Sequence, residues 1–320
     1  MKCAHCGAPL NPGDQFCGEC GQAVAGSATP QPPQPPPAQR GSYSAEISRQ
    51  NPGCILFLVD QSGSMDEALA GATGQRKKDA VADAINRLLY NLVLRCARED
   101  GVRRYFDLGV WTYRGMTTVE RAFSADLVSV AEIAEHPKRI EKRRRRAPDG
   151  AGGVYEQEFE LPVWFDPVAE GRTPMHAAFS AVVGPLRDWL GQHSASFPPV
   201  VINLTDGIYT DQNPAPVARD LTQMGTADGN VLLFNCHIST SADAAITFPD
   251  DAQAASFSGL KRELFDLSSP LPAAMARQAQ AKGYQLGAGA RGYVYNADLV
   301  TLIDFLDVGT RAVQDRMETS

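Results

Sequence analysis

Two sets of side chains in this sequence are spaced to hold metal ions. Cys3-Ala4-His5-Cys6-Gly7 and Cys17-Gly18-Glu19-Cys20-Gly21 form a pair of CxxCG knuckles. Two thiolates two residues apart can grip one ion in a tight turn, and the following glycine lets the backbone close round the sulfurs. Together Cys3, Cys6, Cys17 and Cys20 make a closed tetrahedral site suited to structural Zn2+, with no open position for catalysis. His5, between two of the cysteines, is read as a non-ligand. The second set is Asp60-Gln61-Ser62-Gly63-Ser64, directly after an apolar run. One carboxylate and two hydroxyls are hard oxygen donors that suit Mg2+ or Mn2+, not zinc or copper. The alternative is that these residues only cap the helix that follows a strand.

Such residues need a scaffold to converge. Cys54-Ile55-Leu56-Phe57-Leu58-Val59 is nearly continuous in apolar character, as expected of a central parallel strand buried on both faces. Residues 76–98 read as an amphipathic helix, with Val81, Ile85, Leu88, Leu89, Leu92 and Val93 on one side. Further strands are expected at 106–113, 159–164, 200–204, 231–236 and 292–295, the second of these at an edge because Pro162 interrupts it. Helices are expected at 174–190, 215–224, 271–282 and 299–316. This alternation predicts an α/β fold, a doubly wound and mostly parallel sheet flanked by helices. Ligands of such sheets bind beyond the carboxyl ends of the strands, where the strand order reverses, and Asp60, Ser62 and Ser64 fall at such an end.

Ahead of the α/β region, residues 27–47 are rich in Pro and Gln and should form an extended polyproline II spacer. The expected organisation is a zinc ribbon at 1–26, the linker at 27–47 and the α/β domain at 48–320. A formal charge of −7 argues against a protein that coats nucleic acid non-specifically. No stretch approaches the roughly 20 apolar residues that span a bilayer, and the N-terminus lacks the apolar core of a signal peptide. Three scattered cysteines, Cys54, Cys96 and Cys236, fit buried thiols in a reducing compartment, so the expected location is cytoplasmic.

Two more stretches follow in order, Gly171-Arg172-Thr173-Pro174-Met175 and Leu204-Thr205-Asp206-Gly207. Taken singly, they read as a helix cap followed by proline and as a turn. Taken with Asp60, Ser62 and Ser64, they resemble the von Willebrand factor A (integrin I-type) domain and its metal-ion-dependent adhesion site, over roughly residues 50–318. The resemblance implies that Asp60, Ser62, Ser64, Thr173 and Asp206 hold Mg2+ or Mn2+, leaving one position for an Asp or Glu of a protein partner. Trp164-Phe165-Asp166-Pro167, just ahead of Gly171, is similar to bacterial cytoplasmic members of the tellurite-resistance (TerY-like) type. That likeness implies kinase or phosphatase partners in a stress or phage response. The cysteine unit resembles the short ribbons at the ends of many bacterial proteins, although TerY-like members carry theirs at the opposite end.

No enzyme motif stands beside these sites. Gly287, Gly289 and Gly292 match GxGxxG but precede a strand and open no helix, so they are discounted as a dinucleotide site. His136, His176, His193 and His237 have no metal or triad spacing. Lys138-Arg139-Ile140-Glu141-Lys142-Arg143-Arg144-Arg145-Arg146 reads either as a solvated insertion or, through Arg143, Arg144, Arg145 and Arg146, as a docking patch for an acidic or phosphate-rich partner. The rival to a metal-dependent, non-enzymatic binding module is a nucleic-acid-associated protein that uses the ribbon and this basic run.

Overall fold

A computed structural model of the chain describes Lys2 and residues 41–69, 74–148, 154–238 and 244–314. The chain divides into two compact units, Met1–Pro35 and Pro36–Ser320. Cys3, Cys6, Cys17 and Cys20 lie outside the described residues.

In the larger unit, strand β1 (Gly53–Asp60) leads to helix α1 (Lys77–Cys96) and strand β2 (Phe106–Arg114). Two short strands, β3 (Thr118–Arg121) and β4 (Val128–Ser129), precede helix α2 (Val130–Glu135). A long hairpin follows, β5 (Arg139–Pro148) and β6 (Val154–Val163), then helix α3 (Met175–Gln192) and strand β7 (Val200–Thr205). Helix α4 (Ala215–Gln223), strand β8 (Leu232–Ile238) and strand β9 (Ile246–Thr247) continue the winding. Helices α5 (Asp251–Ala254), α6 (Gly259–Leu267) and α7 (Ala273–Ala281) lead to strand β10 (Tyr293–Ala297) and helix α8 (Leu299–Gln314).

The main sheet runs β9-β10-β8-β7-β1-β2-β3, with β4 also on β2. Its five central strands are parallel, and the edge strands β9, β3 and β4 are antiparallel. Side chains on β1 alternate between the two cores. Ile55, Phe57 and Val59 face α1, α7 and α8, whereas Cys54, Leu56 and Leu58 face α3, α4 and α6. The chain moves from β1 to β2 on one side and later returns to β7 on the other, so the strand order reverses at β1. This is the open α/β sheet of von Willebrand factor A or Rossmann kind expected from the sequence. Cys54, Cys96 and Cys236 are buried, and burial pushes the Cys96 thiol up to about 12.

Two expectations are revised. The linker was expected to run to residue 47, yet Tyr43 and Ile47 are buried in the core and Tyr43 N donates to Asp228 O at 3.0 Å. The packed region therefore begins within the stretch read as spacer. Residues 159–164 were expected as an edge strand of the main sheet. Instead β6 pairs with β5 in a separate two-stranded sheet, with Pro162 opposite Ile140. The physical reason lies in the alternation of Glu156, Glu158 and Glu160, which stand in register with Arg146, Arg144 and Lys142 and let the insertion close on itself.

Asn86 of α1 clips the end of this hairpin to the body. Its Oδ1 accepts from Trp164 N at 2.8 Å and Phe165 N at 3.0 Å, and its Nδ2 donates to Phe165 O and to Ala82 O, both at 2.8 Å. The residue is 2% exposed. Asn86→Ala is expected to cost about 2–4 kcal/mol in urea unfolding, because two backbone N–H groups lose their acceptor where water does not reach.

Candidate metal centre

Asp60 ends β1 at the point of strand reversal, and two neighbouring loops are pinned to it. Gly63 N donates to Gly171 O at 3.0 Å, and Gly171 bridges Gly115 just past β2. Gly171 has φ +71°, and a Cβ there would stand 2.6 Å from Gly115 Cα, so only glycine permits this approach. The approach brings in Thr173, whose Oγ1 stands 3.9 Å from where a Cβ on Gly207, the residue after Asp206, would lie. On the third side Ser64 Oγ donates to Asp206 Oδ1 at 2.8 Å and lies 3.1 Å from Ser62 Oγ. The structure thus gathers Asp60, Ser62, Ser64, Thr173 and Asp206 from three separated segments.

Asp60 is held from both sides. Its Oδ1 accepts from Ser62 N at 2.8 Å and its Oδ2 from Thr205 Oγ1 at 2.7 Å. Burial, then the charge of Asp206, push its carboxyl up to about 6, against the lowering effect of these hydrogen bonds. Two carboxylates out of water beside three hydroxyls make a donor set that fits a hard divalent cation, which would relieve their repulsion. Among the described residues no group of three or more His, Cys, Asp or Glu forms a metal cluster, so hydroxyls and water must complete any shell here. Ser64 is exposed while Asp60, Ser62 and Thr173 are buried, which gives the locus one open side.

Three residues at the site were not singled out from the sequence. Thr205 orients Asp60. Asp211 supplies acceptors to His176 N at 3.2 Å and Ala177 N at 2.9 Å, so it caps α3 from a distant loop, and Thr173 does not. Lys77, the first residue of α1, is 3% exposed and its Nζ donates to Asp206 Oδ2 at 2.8 Å and Glu67 Oε2 at 2.9 Å. A signal for Lys77 was present in Arg76-Lys77-Lys78. Three cations at a helix N-terminus oppose the macrodipole and require acidic partners. Arg76 and Lys78 find theirs in Asp66, whose carboxyl they hold below the usual range.

The basic run is engaged within the fold. Arg143 pairs with Asp83 of α1 and with Glu141, and Arg144 pairs with Glu158 at 3.3 Å and Glu156 at 3.6 Å. The side chains of Arg145 and Arg146 lie outside the described residues. Arg143→Ser is expected to cost about 1 kcal/mol and Arg144→Ser less than about 0.5 kcal/mol in parallel urea melts, since of these two arginines Arg143 pairs with α1 and Arg144 pairs within the hairpin. Equal costs would remove that tie. Of the discounted glycines, two serve close approach and one a turn: a Cβ at Gly292 would stand 2.1 Å from Phe234 and one at Gly287 1.7 Å from Asp250, whereas Gly289 has φ +75° in open space.

Residues 2–24 match the zinc-ribbon domain family, a span that includes all four N-terminal cysteines and supports Zn2+ as a bound metal. No curated protein matches the chain. Among solved structures, the pilus adhesin SpaC from Lactobacillus rhamnosus GG is 11% identical, with 84% of this chain and 31% of that chain covered and a TM-score of 0.50. The ArnB paralog VWA2 from Sulfolobus acidocaldarius is 15% identical over 60% of this chain and 36% of that one, at a TM-score of 0.31. The vWF domain of the type V pili tip protein Mfa5 from Porphyromonas gingivalis is 12% identical over 53% and 41%, at 0.32. The chain thus spans well under two thirds of each of these relatives. No helix among the described residues is long and apolar enough to cross a membrane. The chain is therefore similar to a zinc ribbon at its start, and behind it shares the fold of the matched third of SpaC.

Proposed function

We propose that the larger unit is a von Willebrand factor A-type binding module with a metal-ion-dependent adhesion site. Asp60, Ser62, Ser64, Thr173 and Asp206 would hold Mg2+ or Mn2+, and Cys3, Cys6, Cys17 and Cys20 would hold Zn2+. When bound, the divalent ion would supply an electrophile able to take an Asp or Glu carboxylate of a protein partner. The observation that carries this reading is the convergence of three loop segments on the buried Asp60 carboxylate at the point of strand reversal. The protein's own residues do the remaining work. Thr205 and Ser62 N orient Asp60, Asp206 accepts from Ser64, and Gly171 lets the Thr173 loop approach. The two serine hydroxyls face each other and that of Ser64 also bonds Asp206, which clusters hard oxygen donors for coordination. We read the protein as non-enzymatic, cytoplasmic and of the TerY-like class, acting beside a kinase or phosphatase in a bacterial stress response.

The test is retention of a partner on immobilised full-length, zinc-loaded protein in Mg2+ and in Mg2+-free buffer. Withholding Mg2+ is preferable to adding EDTA, which would also strip zinc from the ribbon. Release on Mg2+ withdrawal and recovery with Mn2+ are expected. Equal retention in both buffers would refute the metal bridge.

A further inference from the structure

Lys77 occupies a place that ordinary helix energetics disfavour. A cation on the first turn faces the positive end of the helix dipole, and a lysine this deeply buried must be paired. Its ammonium meets Asp206 Oδ2 at 2.8 Å, Glu67 Oε2 at 2.9 Å and Ser64 O at 3.4 Å, so each of its three protons has an acceptor. The Asp206 side chain has no exposure, whereas Glu67 is 58% exposed. The ammonium therefore bridges the inner carboxylate of the candidate metal centre and a carboxylate at its mouth. His237 also lies beside Asp206, but burial pushes its imidazole down to about 4, leaving it neutral near pH 7.

We propose that Lys77 sets the cation affinity of this centre by competing, as a tethered ammonium, with the divalent ion for Asp206, while Glu67 is the anchor that receives it when the ion binds. The inference rests on the metal reading above and adds a residue to it. A lysine displaced into the interior without a partner would incur a large desolvation cost. Glu67 removes that cost, because Lys77 can give up Asp206 and remain paired at the mouth. Arg76 and Lys78 are held apart from this exchange by Asp66.

The experiment is Mn2+ titration of full-length, zinc-loaded protein, with free Mn2+ counted by electron paramagnetic resonance. Lys77→Met is expected to bind Mn2+ about tenfold or more tightly, because a like charge beside the ligand is removed. Glu67→Gln is expected to weaken binding several-fold, and that effect should vanish in the double variant, where no ammonium needs an anchor. If Lys77→Met does not fold, Lys77→Gln and Glu67→Gln carry the same comparison. Unchanged or weaker Mn2+ binding in the lysine variant, with binding lost in Asp60→Asn, would overturn the role of Lys77 and leave the metal centre standing. No Mn2+ binding by wild type or by either lysine variant would overturn the metal centre itself.

Discussion

Asp60→Asn is expected to weaken Mn2+ binding by about 100-fold or more, with the fold retained, because a carboxylate a few ångström from a cation contributes on the order of 4 kcal/mol even in a partly screened site. Asparagine keeps an oxygen that can accept from Ser62 N, and its amide NH2 can donate to Thr205 Oγ1 where Oδ2 had accepted, so the charge is removed with one hydrogen bond kept and one reversed. Asp60→Ala removes both and also leaves Thr205 Oγ1 without this acceptor. Two effects then oppose each other in stability, the loss of two hydrogen bonds and the relief of a buried carboxylate repelled by Asp206. Circular dichroism melts beside the titration separate unfolding from loss of the ion. Thr173→Ala is the companion test. Because Asp211 caps α3, this change should lower Mn2+ affinity without destabilising the helix. Mn2+ affinity equal to wild type in Asp60→Asn would exclude this aspartate as a ligand.

Cys17→Ser is expected to release the zinc and unfold the N-terminal unit while the α/β unit melts as in wild type. About 26 residues with Leu10, Phe16 and Val24 as their main apolar side chains cannot bury enough surface to fold alone. Structural zinc sites supply apparent binding free energies of about 10–16 kcal/mol in small domains, so losing one thiolate removes most of what holds such a unit together. The four-cysteine site leaves no reserve ligand except His5 between Cys3 and Cys6. Zinc content by mass spectrometry and calorimetric scans of both proteins decide the matter. One shared transition, lost in the variant, would show that the units fold together.

Several elements were legible because their pattern is local. The apolar run of β1 admits few alternatives, since a strand buried on both faces must be largely apolar, as this one is from Cys54 to Val59 ahead of Asp60. The helix of Lys77–Cys96 shows the 3.6-residue period, and its bounds fall within two residues of expectation. The hairpin was not recognised, although Glu156, Glu158 and Glu160 alternate as a strand would. A charged strand lacks the hydrophobic period by which strands are usually found. Tyr43 and Ile47 were missed for a related reason. A few packing residues beside a proline-rich tract leave no periodic signal, and their burial depends on strands far along the chain.

Residue identity alone determined the chemistry available to this protein: thiolates in two CxxC knuckles, and carboxylate and hydroxyl oxygens at the ends of strands. It also determined the open α/β fold, because periodicity and the order of elements are properties of neighbours in sequence. The tertiary structure decided which of those groups share a site and with what charge. Lys77 and Asp206 are 129 positions apart and meet at 2.8 Å, and Asp211 reaches α3 from 34 residues beyond Ala177. Such contacts arise because parallel strands bring their carboxyl ends to one edge of the sheet, and electrostatic energy depends on separation in space, which spacing along the chain does not record.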